Sequence, residues 1–179
     1  MCFKSINGND INIAYCCPFA LLYIMSIEAS SFMSFVLSSL GGMVATVAFY
    51  IDETKPGNVL RLDMARSINS VFWGITQLPA WFRPRREFWW IFANIPSRTM
   101  HMIAGGGAAL LLKILETFWS SDGMNLHRLG VRVKSTILRC RYAFIMVDEK
   151  MRKGKLWGEG RKRRSNVPHL LQLRANGEA

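Results

Sequence analysis

The feature that most constrains this chain is a run of 23 residues without a charge, 29-ASSFMSFVLSSLGGMVATVAFYI-51. A bilayer core takes about 20 apolar residues as a helix. Phe32, Met33, Phe35, Val36, Leu37, Leu40, Val44, Val47, Phe49, Tyr50 and Ile51 supply apolar surface here, and Asp52 and Glu53 end the run. The run is therefore expected to be a transmembrane helix. The alternative is a wholly buried core helix, which would be long for so small a domain. In a helix, Ser34, Ser38, Gly41, Gly42 and Ala45 would recur at three- and four-residue spacing. Such a stripe of small side chains lets a second helix approach closely.

The preceding stretch, 11-INIAYCCPFALLYIMSI-27, is also uncharged and is broken by Pro18. It reads as a short first span or an interfacial arm. A cleaved signal peptide fits less well, because Lys4 is offset by Asp10. Cys16 and Cys17 beside such a segment are candidates for palmitoylation. Reduced thiols fit the four cysteines better, since no zinc or disulfide spacing is present.

Charge is distributed unevenly. The net charge is +11, and 14 of the 23 Lys and Arg lie in 121–179. One base precedes residue 29, seven lie in 52–98 and fifteen come after 98. If 29–51 crosses a bilayer, that asymmetry obeys the positive-inside rule. Such a chain is expected to meet polyanions: anionic phospholipid, nucleic acid or an acidic protein face. The densest cluster, Arg161, Lys162, Arg163 and Arg164, is the candidate polyanion contact.

The segment 73-WGITQLPAWFRPRREFWWIF-92 holds four of the six tryptophans and three arginines. Rings interleaved with arginines serve either as a stacking platform for single-stranded RNA or as a belt at a membrane interface. Pro79 and Pro84 preclude one regular helix. Trp73, Trp81, Arg83, Arg85, Arg86, Trp89 and Trp90 are expected to contact the membrane interface, lipid or a partner.

Downstream, 99–120 reads as an amphipathic helix, with a further span as the alternative. Leu110, Leu111, Ile114, Leu115 and Phe118 share a helix face, and Lys113 and Glu116 form an i,i+3 pair on another. Gly105-Gly106-Gly107 would hinge it or allow close helix contact. Val131-Arg132-Val133-Lys134 alternates like a short strand, and Ser135 is expected to cap a helix running to about Lys153.

Catalytic signals are missing. His101, His127 and His169 have no ligand partner at helical spacing, and Asp52-Glu53 and Asp148-Glu149 are adjacent residues that point apart on a helix. No metal site, cofactor site or catalytic residue is expected. Pro56-Gly57-Asn58-Val59-Leu60 resembles part of the nucleotide and metal loop of a family of atypical kinases. The family's histidine and aspartate just before that string have no match here, so no site residue is carried over.

Together these features predict a mainly α membrane protein. It would have one transmembrane helix (with two or three as alternatives), interfacial amphipathic helices and an extended basic C-terminal tail. Its segments are 1–28 (apolar arm), 29–51 (span), 52–98 (Trp/Arg-rich), 99–120 (amphipathic helix) and 121–179 (basic). The expected function is that of a non-catalytic accessory subunit of a larger membrane complex, with other membrane subunits and anionic phospholipid as partners. The mitochondrial inner membrane and its respiratory chain suit the charge pattern. The alternatives are a basic RNA- or ribosome-associated protein and a lipid-modifying membrane enzyme.

Overall fold

The computed structural model describes residues 1–54, 67–121 and 123–147. The mainly α expectation is overturned. The described chain mixes helices with three sheets, and no single helix in it is long and apolar enough to cross a membrane.

The charge-free run is not one helix. It divides into a helix, a two-glycine turn and a strand. A hairpin of β1 (Cys2–Lys4) and β2 (Asp10–Asn12) opens the fold, and α1 (Pro18–Glu28) and α2 (Ser30–Leu40) come next. These two helices meet at a bend of 111°. Gly41 and Gly42 then take φ of 54° and 84°, the left-handed conformation that ends a helix. Beyond them β3 (Ala45–Thr54) begins. Its β-branched and aromatic residues suit a pleated surface. Ala45, Val47, Phe49 and Ile51 alternate into the core, which is the two-residue period of a strand.

β3 is central in a four-stranded sheet of order β5-β4-β3-β8. β4 (Ile68–Ile75) pairs antiparallel with β3, and β5 (Trp90–Pro96) antiparallel with β4. After α3 (Ser97–Met102), α4 (Gly106–Trp119) and a small hairpin of β6 (Val131–Val133) and β7 (Thr136–Leu138), the chain returns as β8 (Cys140–Val147), parallel to β3. The helix expected from Ser135 is thus two strands. Lys134 turns the hairpin with φ 55°, and Tyr142, Phe144, Ile145 and Val147 are strand-forming residues. The register shifts once in β3/β8, leaving Ala143 unmatched, and once in β4/β5, leaving Phe92 unmatched. Both outer strands of the sheet therefore carry a bulge.

The apolar side of α4 faces the protein's own core, not a bilayer. Leu110, Ile114 and Phe118 are fully buried against the sheet, and Lys113 Nζ lies 2.9 Å from Glu116 on the outer side. Phe118 meets Phe49, Trp73 and Phe92 at ring distances of 4.9, 5.2 and 5.6 Å. α2 reaches the same core through Phe32, set edge-on against Trp90. On the opposite sheet face Phe88 closes over Gly74, where an added Cβ would stand 2.9 Å from both the ring and the carbonyl oxygen of Phe88.

Gln77 substitutes for backbone at one end of the sheet. Its Oε1 accepts from Thr46 N–H at 2.7 Å, and its Nε2 donates to Val44 O at 2.9 Å and to Thr46 Oγ1 at 2.7 Å. Gln77→Ala leaves these part-buried groups without the amide, and a fully buried orphaned donor costs about 1–3 kcal/mol, so the low end of that range is expected here. Urea denaturation should show a loss in that range with an unchanged slope; a cost near zero would show that the amide is dispensable.

Candidate functional site

The small-residue stripe expected for helix pairing does not form. Ser34 and Ser38 lie on α2 and donate to the Ser30 and Phe35 carbonyls. Gly41 and Gly42 make the turn, and Ala45 is buried in β3. Gly105–Gly107 join α3 to α4.

The Trp/Arg segment splits by chemistry. Trp73 is fully buried, with its ring 4.5 Å from that of Trp90. Its indole N–H has no hydrogen-bond partner among the described residues. Trp89 and Trp90 are half-buried and pack on Phe88 and Trp73. Trp81 alone of the four stands out, 59% exposed. Three of these four rings therefore pack wholly or partly against the core.

The three arginines are all exposed, on a loop held in place by its buried neighbours Phe82 and Phe88. Arg83 Nε donates to Leu78 O at 3.1 Å, and Arg85 lies over the Trp81 ring at 5.3 Å.

Other bases come to the same end of the sheet. Arg141 is the second residue of β8, and its Nε is 3.4 Å from Thr46 Oγ1, the hydroxyl that Gln77 also holds. The Arg139 carbonyl accepts from Ala45 N–H. Lys134 Nζ reaches Ser34 Oγ at 2.6 Å, and the adjacent Phe35 packs on Trp81 at 5.8 Å. Arg132 lies between the two buried valines of β6 and is exposed. Of these basic stretches, 139–141 touches the start of β3 directly, while 83–86 and 132–134 lie on the connections that the topology places toward the same end of the sheet. Glu87 is the acid within those loops. This basic end is the candidate site. Sequence reading singled out Arg83, Arg85 and Arg86 and missed Arg132, Lys134, Arg139 and Arg141, because their convergence depends on the parallel return of β8.

Polar groups at the other end of the sheet serve packing. Ser97 Oγ donates to Glu53 Oε1 and accepts from Asn69 Nδ2, both at 2.8 Å, with Ser97 and Asn69 buried. His101 and His127 are both exposed. Among the described residues no three His, Cys, Asp or Glu side chains come together as a metal site.

The described cysteines are all free thiols. Cys16 is exposed just before α1; burial first, then the neighbouring Cys17, raises its pKa. Burial pushes the Cys140 thiol up to about 12. Because the folded value exceeds the unfolded one, this group's contribution to stability is intact below pH ~9 and declines as pH rises toward 12. In the native protein at mildly alkaline pH a thiol reagent should label the exposed Cys2 rapidly, Cys16 more slowly because its raised pKa leaves less thiolate, and Cys140 only after denaturant is added. Fast native labelling of Cys140 would contradict its burial.

Arg161, Lys162, Arg163 and Arg164, with the string 56–60, His169 and Asp148-Glu149, lie outside the described residues. No family model, curated protein or solved structure matches the chain.

Proposed function

We propose that this protein is a non-catalytic accessory protein that docks on anionic phospholipid through the basic end of its sheet. The observation that carries this reading is topological: the exposed Arg83, Arg85, Arg86, Arg132, Lys134, Arg139 and Arg141 lie on three stretches that follow β4 or lead into β8, at the end of the sheet where β3 begins. A base near an anionic bilayer surface contributes on the order of 1 kcal/mol. Membranes rich in anionic lipid, the mitochondrial inner membrane among them, present the complementary charge. Single-stranded RNA is the second reading, and it rests on the exposed Trp81 under Arg85. One exposed ring is a small platform, since such proteins stack successive bases on several aromatics.

The test is partition onto phosphatidylcholine vesicles with and without phosphatidylserine. Binding should require the anionic lipid and weaken with salt. Arg83→Gln, Arg85→Gln and Arg86→Gln together should reduce it by roughly 100-fold. Binding indifferent to anionic lipid, or a tighter association with single-stranded RNA, would sink the proposal.

A further inference from the structure

Helix α1 violates the pattern of a surface helix. Such a helix normally presents charged and polar residues outward, with its apolar stripe facing the core. The one charged residue of α1 is the exposed Glu28 at its C-terminal end, one turn past Ile24. Pro18 and Leu22 are its buried anchors. The opposite side consists of Ala20, Tyr23, Ile24 and Ile27, at the i, i+3, i+4, i+7 spacing of one helical face. Tyr23, Ile24 and Ile27 are 58, 54 and 56% exposed. A contiguous apolar face of this kind marks an interaction surface.

What covers it is indicated by charge. α1 packs on β6, which carries the exposed Arg132, with Lys134 one residue past the strand. An apolar helix face with bases alongside is the arrangement of a helix lying in a bilayer interface, its side chains among the upper acyl segments and the bases at headgroup phosphates. A second copy of the chain would instead bring these bases toward one another. We infer that α1 is an interfacial insertion helix that seats Tyr23, Ile24 and Ile27 below the headgroups of an anionic membrane. The inference rests on the membrane-surface reading of the basic end and adds an apolar component to it.

The experiment uses the full chain, phosphatidylcholine vesicles with or without phosphatidylserine, and the double variant Ile24→Asn/Ile27→Asn. Asparagine is neutral, so a loss of binding reports insertion and not charge repulsion. Both positions are outside the core, and an unchanged thermal unfolding midpoint verifies the fold. The double variant should bind anionic vesicles at least about tenfold more weakly while keeping the salt dependence of the parent. Ile24→Leu should bind like the parent. If the double variant binds normally while the triple arginine variant does not, the insertion is refuted and the surface reading stands. If the parent ignores anionic vesicles, both fall. If the double variant abolishes a dimer and leaves vesicle binding intact, the face belongs to a second copy and the inference is overturned.

Discussion

Phe118→Ala is expected to cost about 3–5 kcal/mol, the range for truncating a buried aromatic. Phe118 is fully buried and has protein on every side. Its ring meets Phe49, Trp73 and Phe92, from three different strands, and Trp119 at 5.2 Å. Removing it empties the junction where α4 crosses the sheet, and none of those strands can move inward without breaking its ladder. Domains of this size typically have about 5–15 kcal/mol of stability in total. The variant should therefore unfold at a much lower urea concentration, and near-ultraviolet circular dichroism should report loosened aromatic packing. Phe118→Leu keeps most of the volume and should cost distinctly less. A cost below about 1 kcal/mol for the alanine variant would mean that α4 does not pack on the sheet.

The second large effect is at Gly130, which precedes β6 with φ of 66°. A Cβ there would stand 2.6 Å from Ile137 Cγ2 and 2.7 Å from Leu138 O. Left-handed backbone costs an ordinary residue roughly 1–2 kcal/mol. The steric conflict adds roughly 1–3 kcal/mol, because the carbonyl belongs to the facing strand and cannot rotate away like a side-chain tip. Gly130→Ala should therefore cost about 2–5 kcal/mol. Gly8→Ala is the control. Gly8 has φ of 84° but nothing within 4 Å of the added carbon, so it should bear the conformational cost alone. Denaturation of both variants separates the two contributions, and equal losses would show that the space around Gly130 is not tight.

Much of the fold was hidden from sequence for one physical reason. A charge-free run satisfies a bilayer helix and a protein core equally well, and the deciding signal was local. Gly41-Gly42 is a poor pair for the middle of a helix, and the nearby stretch 44-VATVAFYI-51 is rich in β-branched and aromatic residues. Those residues alternate in burial from Ala45 onward, which a helical reading of the stripe obscured. The amphipathic face of 110–118 and its Lys113–Glu116 pair were legible because they repeat at helical spacing within a few residues. The strand at 131–133 was legible from its alternation, whereas β7 and β8 were masked by interspersed bases that resemble a helix surface.

The candidate site was legible in part. Arg83, Arg85 and Arg86 announce themselves by proximity in sequence. Their tryptophan neighbours misled, because Trp73 and Trp90 are chosen for the core and not for solvent. Arg139 and Arg141 join them only through the pairing of Ala45 with Cys140, a contact across 95 residues that no short window contains.

That same pairing has a consequence during synthesis. β4 and β5 can form on β3 as soon as residue 96 is available, giving an antiparallel meander. The remaining edge of β3 stays open until β8 has been made. A nascent chain ending near residue 130 would therefore present one unpaired edge of β3, from Ala45 to Ile51, with Phe49 already committed to the core. Open apolar edges of this kind recruit other strands. β8, the last strand among the described residues, thus covers that edge of β3 late, and the interval before it arrives leaves the edge open to misassembly.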